Sequence, residues 1–161
     1  MNILFFLTPK SEVAYLYDTD SVRQALEKME HHRYSAIPLI GKKDGRYIGT
    51  LTEGDLLWDI KDRENLSLHG AEEISILEVK RNRDNEPVDV DVDMEDLISK
   101  SMNQNFVPDF NPPVKVSATM DDLLQRVMDQ NFVPVIDDRK RFIGIITRKD
   151  IIQYLSERVK A

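Results

Sequence analysis

Residues 142–152 read FIGIITRKDII. The run from Phe142 to Ile146 is apolar and rich in β-formers, which predicts a buried strand. Thr147 then stands where a helix N-cap belongs, and an amphipathic helix is predicted from Asp150. A strand that delivers a hydroxyl to a helix start builds a place for an anion. Nearly the same stretch occurs at residues 47–57, YIGTLTEGDLL, with Gly49, Thr52 and Asp55 at the steps of Gly144, Thr147 and Asp150. The repetition decides the fold, because two copies of strand, cap and helix imply two copies of the surrounding unit.

Working outward, each copy follows a Pro-containing apolar strand and a turn. AIPLI (Ala36–Ile40) precedes the turn GKKDG, and FVPVI (Phe132–Ile136) precedes DDRK, with Pro38 answering Pro134. Before these lie two helices: one from Val22 to His31 with Val22, Ala25, Leu26 and Met29 on one face, and one over Met120–Asp129 with Leu123, Leu124, Val127 and Met128 inward. The β-rich VAYLY (13–17) and the stretch 114–116 supply a first strand to each half. The predicted order is strand-helix-strand-strand-helix, twice. It is an α/β (α+β) protein of two tandem units forming a pseudo-twofold pair around a shared core. The expected divisions are 1–60 for the first unit, 61–86 for a polar connector, 87–112 for an extra segment and 113–161 for the second unit. Within the connector, Ile74, Ile76, Leu77 and Val79 predict one ordered piece docked on the core.

The extra segment is a second repeat nested in the first. Residues 87–108 match residues 113–134 at a constant offset of 26, with 12 of 22 positions identical. The later copy runs directly into its hairpin, so its loop-closure cost is smaller and it is expected to hold the place in the second unit. The earlier copy must then bury Leu97, Ile98, Met102 and Phe106 elsewhere.

Composition narrows the function. A net charge of −7 over 161 residues argues against nucleic acid as partner. There is no cysteine, which fits a reducing compartment. The N-terminal apolar run, Ile3 to Leu7, is short and stopped by Pro9, unlike a signal peptide. No stretch reaches membrane-spanning length, so a cytoplasmic protein without membrane contact is expected. Asp89, Asp91 and Asp93 imitate a calcium loop, but Met94 replaces its glycine and Lys100 its bidentate Glu. His31 and His32 diverge on a helix without a third ligand, so no metal is expected. No Walker loop, dinucleotide fingerprint or nucleophile elbow is present. Neither Thr-x-x-Asp pair has a histidine beside it, so no enzyme is expected.

The motifs HRYSAIPLI…GRYIGTLTEGDLL and FVPVIDD…FIGIITRKDII resemble those of cystathionine-β-synthase-type (CBS) domains, which occur in tandem as Bateman modules; the likeness covers residues 4–60 and 114–156 and is nearest the small stand-alone bacterial type. The resemblance implies a regulatory module that needs no cofactor and binds adenine nucleotides of the AMP, ADP or ATP class in clefts between its units. It further implies that Thr52 and Thr147 contact phosphate or ribose and that Asp55 and Asp150 accept the ribose hydroxyls. Arg33, Tyr34, Ser35 and Ala36 would line the base and reach phosphate, as would Val133 and Pro134 in the second unit, with Asp20 and Thr119 at the turn after each first strand. The alternatives are a cyclic di-AMP receptor and a ligand-free oligomerisation scaffold. Arg148 and Lys149 follow Thr147 where Glu53 and Gly54 follow Thr52, so phosphate is expected to favour a dominant site of Thr147, Arg148 and Asp150. A homodimer is expected, with Met29, Leu56, Trp58, Met128, Ile152 and Tyr154 as candidate interface residues and an unidentified protein target as a possible further partner.

Overall fold

The computed structural model describes residues 1–62, 76, 77, 79, 80 and 111–160. In the first unit a strand β2 (Leu16–Tyr17) is followed by α1 (Val22–His32), β3 (Ala36–Ile40), β4 (Tyr47–Thr52) and α2 (Glu53–Asp62). In the second, β5 (Val114–Lys115) is followed by α3 (Met120–Asp129), β6 (Phe132–Ile136), β7 (Phe142–Thr147) and α4 (Arg148–Val159). The predicted order of elements is present in both, in an α+β fold with four helices among the described residues.

The two sheets share one plan. β2 runs parallel to β3 and β5 parallel to β6, each pair joined through a helix. β3–β4 and β6–β7 are antiparallel hairpins. Both hairpins carry a register shift at the same place, between Leu39 and Ile40 and between Val135 and Ile136. α1 and α3 each open on a capping box. Ser21 Oγ accepts from the Gln24 N–H while Gln24 Oε1 accepts from the Ser21 N–H. Thr119 and Asp122 do the same for α3. Such reciprocal pairs satisfy backbone donors that the first helical turn leaves over.

The compact units differ in composition from the contiguous divisions expected. One holds Met1–Val13 together with Asn111–Ala161, the other Ala14–Phe110. A short strand β1 (Thr8–Pro9) pairs antiparallel with β7, Thr8 opposite Ile145 and Pro9 opposite Gly144. It extends the second sheet to the order β1-β7-β6-β5. Ile3 and Phe6 are buried with Val114, Leu123, Val133 and Ile146. Two residues of the N-terminal apolar run, Ile3 and Phe6, are thus core material for the far end of the chain, while Leu4 and Phe5 are exposed. The physical reason is edge protection: β7 gains a partner, and Pro9 is tolerated because it lies on an edge.

The first unit's core gathers Leu16, Val22, Ala25, Met29, Ile37, Leu39, Leu51 and Leu56, together with Ile76 and Val79. The connector does contribute an ordered piece. Several predicted inward faces are narrower than expected: Leu26 is exposed, Leu124 is only partly buried, and Met128 is 79% exposed. Residues 113–134 occupy the second unit through β5 and α3. The earlier copy, 87–110, with its Leu97, Ile98, Met102 and Phe106, lies outside the described residues, as do Ile74, Asp89, Asp91 and Asp93.

Candidate functional site

At the end of β7, Thr147 has extended backbone geometry and its Oγ1 accepts from the Asp150 N–H at 3.2 Å. The cap therefore exists, with α4 beginning at Arg148. Asp150 is half-buried, and among the described residues its carboxylate has no hydrogen-bond or ion-pair partner. Lys149 is exposed and likewise unpaired among those residues. The corner thus presents a carboxylate, an ammonium and the positive end of a helix dipole together.

At the end of β4 the same cap forms, Thr52 Oγ1 accepting from the Asp55 N–H at 3.1 Å. Here Asp55 is committed. Its Oδ2 accepts from the Thr52 N–H at 3.0 Å and lies 3.7 Å from Lys80 Nζ. The side chains of Lys80 and Asp55 are only 3% and 11% exposed. Sequence reasoning missed Lys80, because it read residues 61–86 as a polar connector and took only apolar residues as its ordered piece.

Arg148 does not turn toward the corner. Its Nε donates to the Val127 carbonyl at 2.6 Å and its second guanidinium nitrogen to that of Met128 at 3.3 Å. The cation thus satisfies the last carbonyls of α3 and sits at the negative end of that helix. The need for it is local. α1 ends on Arg33 in the left-handed conformation (φ 59°), whose N–H returns to Met29 and Glu30, whereas Gln130 after α3 is extended. Arg33 is thereby a helix C-cap.

The remaining candidates divide as follows. Tyr34 is half-buried against the first core and stacks on His32, with ring centroids 5.4 Å apart. Ser35 is exposed and its carbonyl accepts from the Glu53 N–H at 3.0 Å; Ala36 opens β3 opposite Thr52. Asp20 folds back on its own turn, Oδ2 accepting from the Tyr17 N–H at 2.9 Å. Thr119 is the counterpart of the cap Ser21 rather than of Asp20. Val133 is fully buried and Pro134 buried beside it, so their side chains are core.

A further cluster was missed because VAYLY was read only as a strand former. Tyr15, just before β2, and Tyr17 within it meet edge to face at 5.4 Å with hydroxyls 3.5 Å apart. That hydroxyl contact, with some burial, pushes the Tyr15 phenol up. Lys28 donates to the Tyr15 carbonyl at 2.8 Å, and Lys42 Nζ lies 6.0 Å from the Tyr17 ring. Of the candidate interface residues, Met29 and Leu56 are core, Tyr154 packs in the second core, and Trp58, Met128 and Ile152 are exposed. Among the described residues no helix is long and apolar enough to cross a membrane.

The family model for the CBS domain matches residues 7–62 and 98–157. Among solved structures, CbpB in complex with c-di-AMP is similar at a TM-score of 0.72 and 22% identity, covering 99% of this chain and 87% of that one. A hypothetical conserved protein from Geobacillus kaustophilus matches at a TM-score of 0.72 and 19% identity, covering 98% of each chain. Listeria monocytogenes CbpB in complex with c-di-AMP matches at 0.66 and 17% identity, covering 96% of this chain and 94% of that one. No curated protein matches. At such identities the likeness is one of fold.

Proposed function

This chain belongs to the CBS-domain family, and we propose that it is a non-catalytic regulatory module whose second unit binds an adenine nucleotide. The observation that carries this reading is the half-buried carboxylate of Asp150 beside the Thr147 cap, unpartnered among the described residues. A ribose cis-diol offers two donors that one carboxylate accepts together. Phosphate finds Lys149 and the start of α4 close by. The site differs from that expected in one member: the cation is Lys149, with Arg148 held to α3.

The ligand class is AMP, ADP, ATP or cyclic di-AMP. Cyclic di-AMP is the first to test, since two structures of like fold hold it. Regulation follows if the ligand binds one arrangement of the module better than another, passing that bias to a protein target. We further propose a cytoplasmic homodimer, favoured by the exposed Trp58, Met128 and Ile152.

Thermal unfolding with AMP, ADP, ATP, cyclic di-AMP, S-adenosylmethionine and NADH tests the reading. One adenine nucleotide should stabilise the fold by about 2.7 kcal/mol at a hundred times its Kd. Asp150→Asn should then weaken binding roughly 10- to 100-fold by removing a charged acceptor. Silence toward the whole panel would leave the scaffold reading standing instead.

A further inference from the structure

The two Thr-x-x-Asp corners have the same cap, at 3.1 and 3.2 Å, yet opposite surroundings. The cause in the first unit lies in the connector. Ile76 and Val79 are fully buried in the core that holds Leu56. The Ile76 N–H donates to the Asp20 carbonyl at 3.1 Å. Lys80 follows with its ammonium 3.7 Å from Asp55 Oδ2 and almost no exposure. One short piece of chain thus engages the turn before α1, through the Asp20 carbonyl, and the corner carboxylate of Asp55.

A carboxylate in the first turn of an exposed helix needs no counter-ion, because the helix dipole and water suffice. A buried lysine does need an anion, and an ion pair out of water holds only while both partners remain. We propose that the first unit's corner is closed by the chain itself, with Lys80 occupying Asp55 as a tethered internal cation. Nucleotide is then taken up only through the second unit, one per chain. A ribose reaching Asp55 would have to displace an ammonium that has no water to move into. The uptake part of this inference rests on the nucleotide reading above; the closed corner does not.

Two measurements separate them. On the native chain, acetylation by a water-soluble N-hydroxysuccinimide ester, followed site by site by mass spectrometry, should modify Lys80 at least tenfold more slowly than Lys149. Equal rates overturn the closed corner whether or not any nucleotide binds. Titration calorimetry with AMP and with cyclic di-AMP supplies the second arm. The native chain should bind one equivalent, Asp150→Asn should lose it, and Asp150→Asn with Lys80→Met should regain one equivalent through the first unit. Two equivalents on the native chain, or a folded double variant that stays silent, overturn the proposal. Lys80→Gln replaces Lys80→Met if the latter does not fold, and circular dichroism decides that. A native chain that binds neither probe refutes the nucleotide reading alone, and the acetylation rates still decide the corner.

Discussion

The corners at Thr52 and Thr147 are two outcomes of one motif. In both, a strand ends on a threonine whose hydroxyl caps the next helix. In both, the first helical N–H returns to the preceding strand's approach: Glu53 to the Ser35 carbonyl at 3.0 Å, Arg148 to that of Asn131 at 2.9 Å. Past that point they part. Asp55 is paired inward with Lys80, while Asp150 faces outward unpaired among the described residues. The difference comes from outside the motif, from a connector in one case and in the other from a helix that ends on an extended rather than a left-handed residue. A charge beside a motif can be engaged elsewhere, as the bonds of Arg148 to the end of α3 show.

The largest expected effect concerns what backs each corner. β7 is crossed by β1 at Gly144, where an added Cβ would meet the Thr8 carbonyl and lie 2.9 Å from the Leu7 side chain. Relief requires the N-terminal strand to move. Gly144→Ala should therefore cost about 3 kcal/mol, at the upper end of overpacking penalties. Gly45, in the hairpin turn of the first unit, has φ +73° and open space where its Cβ would go. Gly45→Ala should cost only about 1 kcal/mol, the left-handed backbone penalty alone. Urea unfolding of the two variants checks this. Equal losses would mean that β1 does not hold the second corner.

That crossing also shows what a linear reading can and cannot extract. The tandem order, both proline strands and both threonine caps were legible, because each rests on local periodicity and local hydrogen bonds. The destination of Ile3 and Phe6 was not, since an apolar run announces that it will be buried and not by which part of the chain. Lys80 shows the same limit in polar form. Composition assigns a charged run to solvent, and only tertiary packing of Ile76 and Val79 carries one of its members inside. Arg148 was legible as a cation beside the cap, but its hydrogen bonds to the Val127 and Met128 carbonyls were not, because they depend on how α3 ends. That ending was hidden in a difference of two residues: the cap-to-proline interval is 17 from Ser21 to Pro38 and 15 from Thr119 to Pro134.

A smaller effect follows from that ending. Arg148→Ala removes two charged hydrogen bonds from the carbonyls of Val127 and Met128. The guanidinium is partly exposed, so the loss should be about 1–2 kcal/mol rather than the full worth of two such bonds. The matching residue of the first unit is Glu53, which is exposed. Glu53→Ala should fall within about 0.5 kcal/mol of native. If Arg148→Ala instead leaves stability unchanged and abolishes nucleotide affinity, the arginine belongs to the site and the comparison must be redrawn.

The smallest effect distinguishes the helices that precede the two corners. The box opening α1 uses Gln24, which does not titrate, whereas the box opening α3 uses Asp122. The Thr119 backbone N–H, then the Thr119 hydroxyl, hold the Asp122 carboxyl below its ordinary value of 3.8, with Arg126 helping. A group so depressed contributes stability above its unfolded value and loses that contribution as pH falls through the folded one. Acid should therefore open the α3 cap below about pH 3.8 and leave the α1 cap closed. In an NMR titration the Thr119 amide proton should shift across that window while the Ser21 amide stays put. Asp122→Asn should abolish the shift without unfolding the helix, because asparagine keeps an acceptor that does not titrate. Movement of both amides together would mean that acid loosens the whole fold before either cap, and that the two helix starts are equivalent after all.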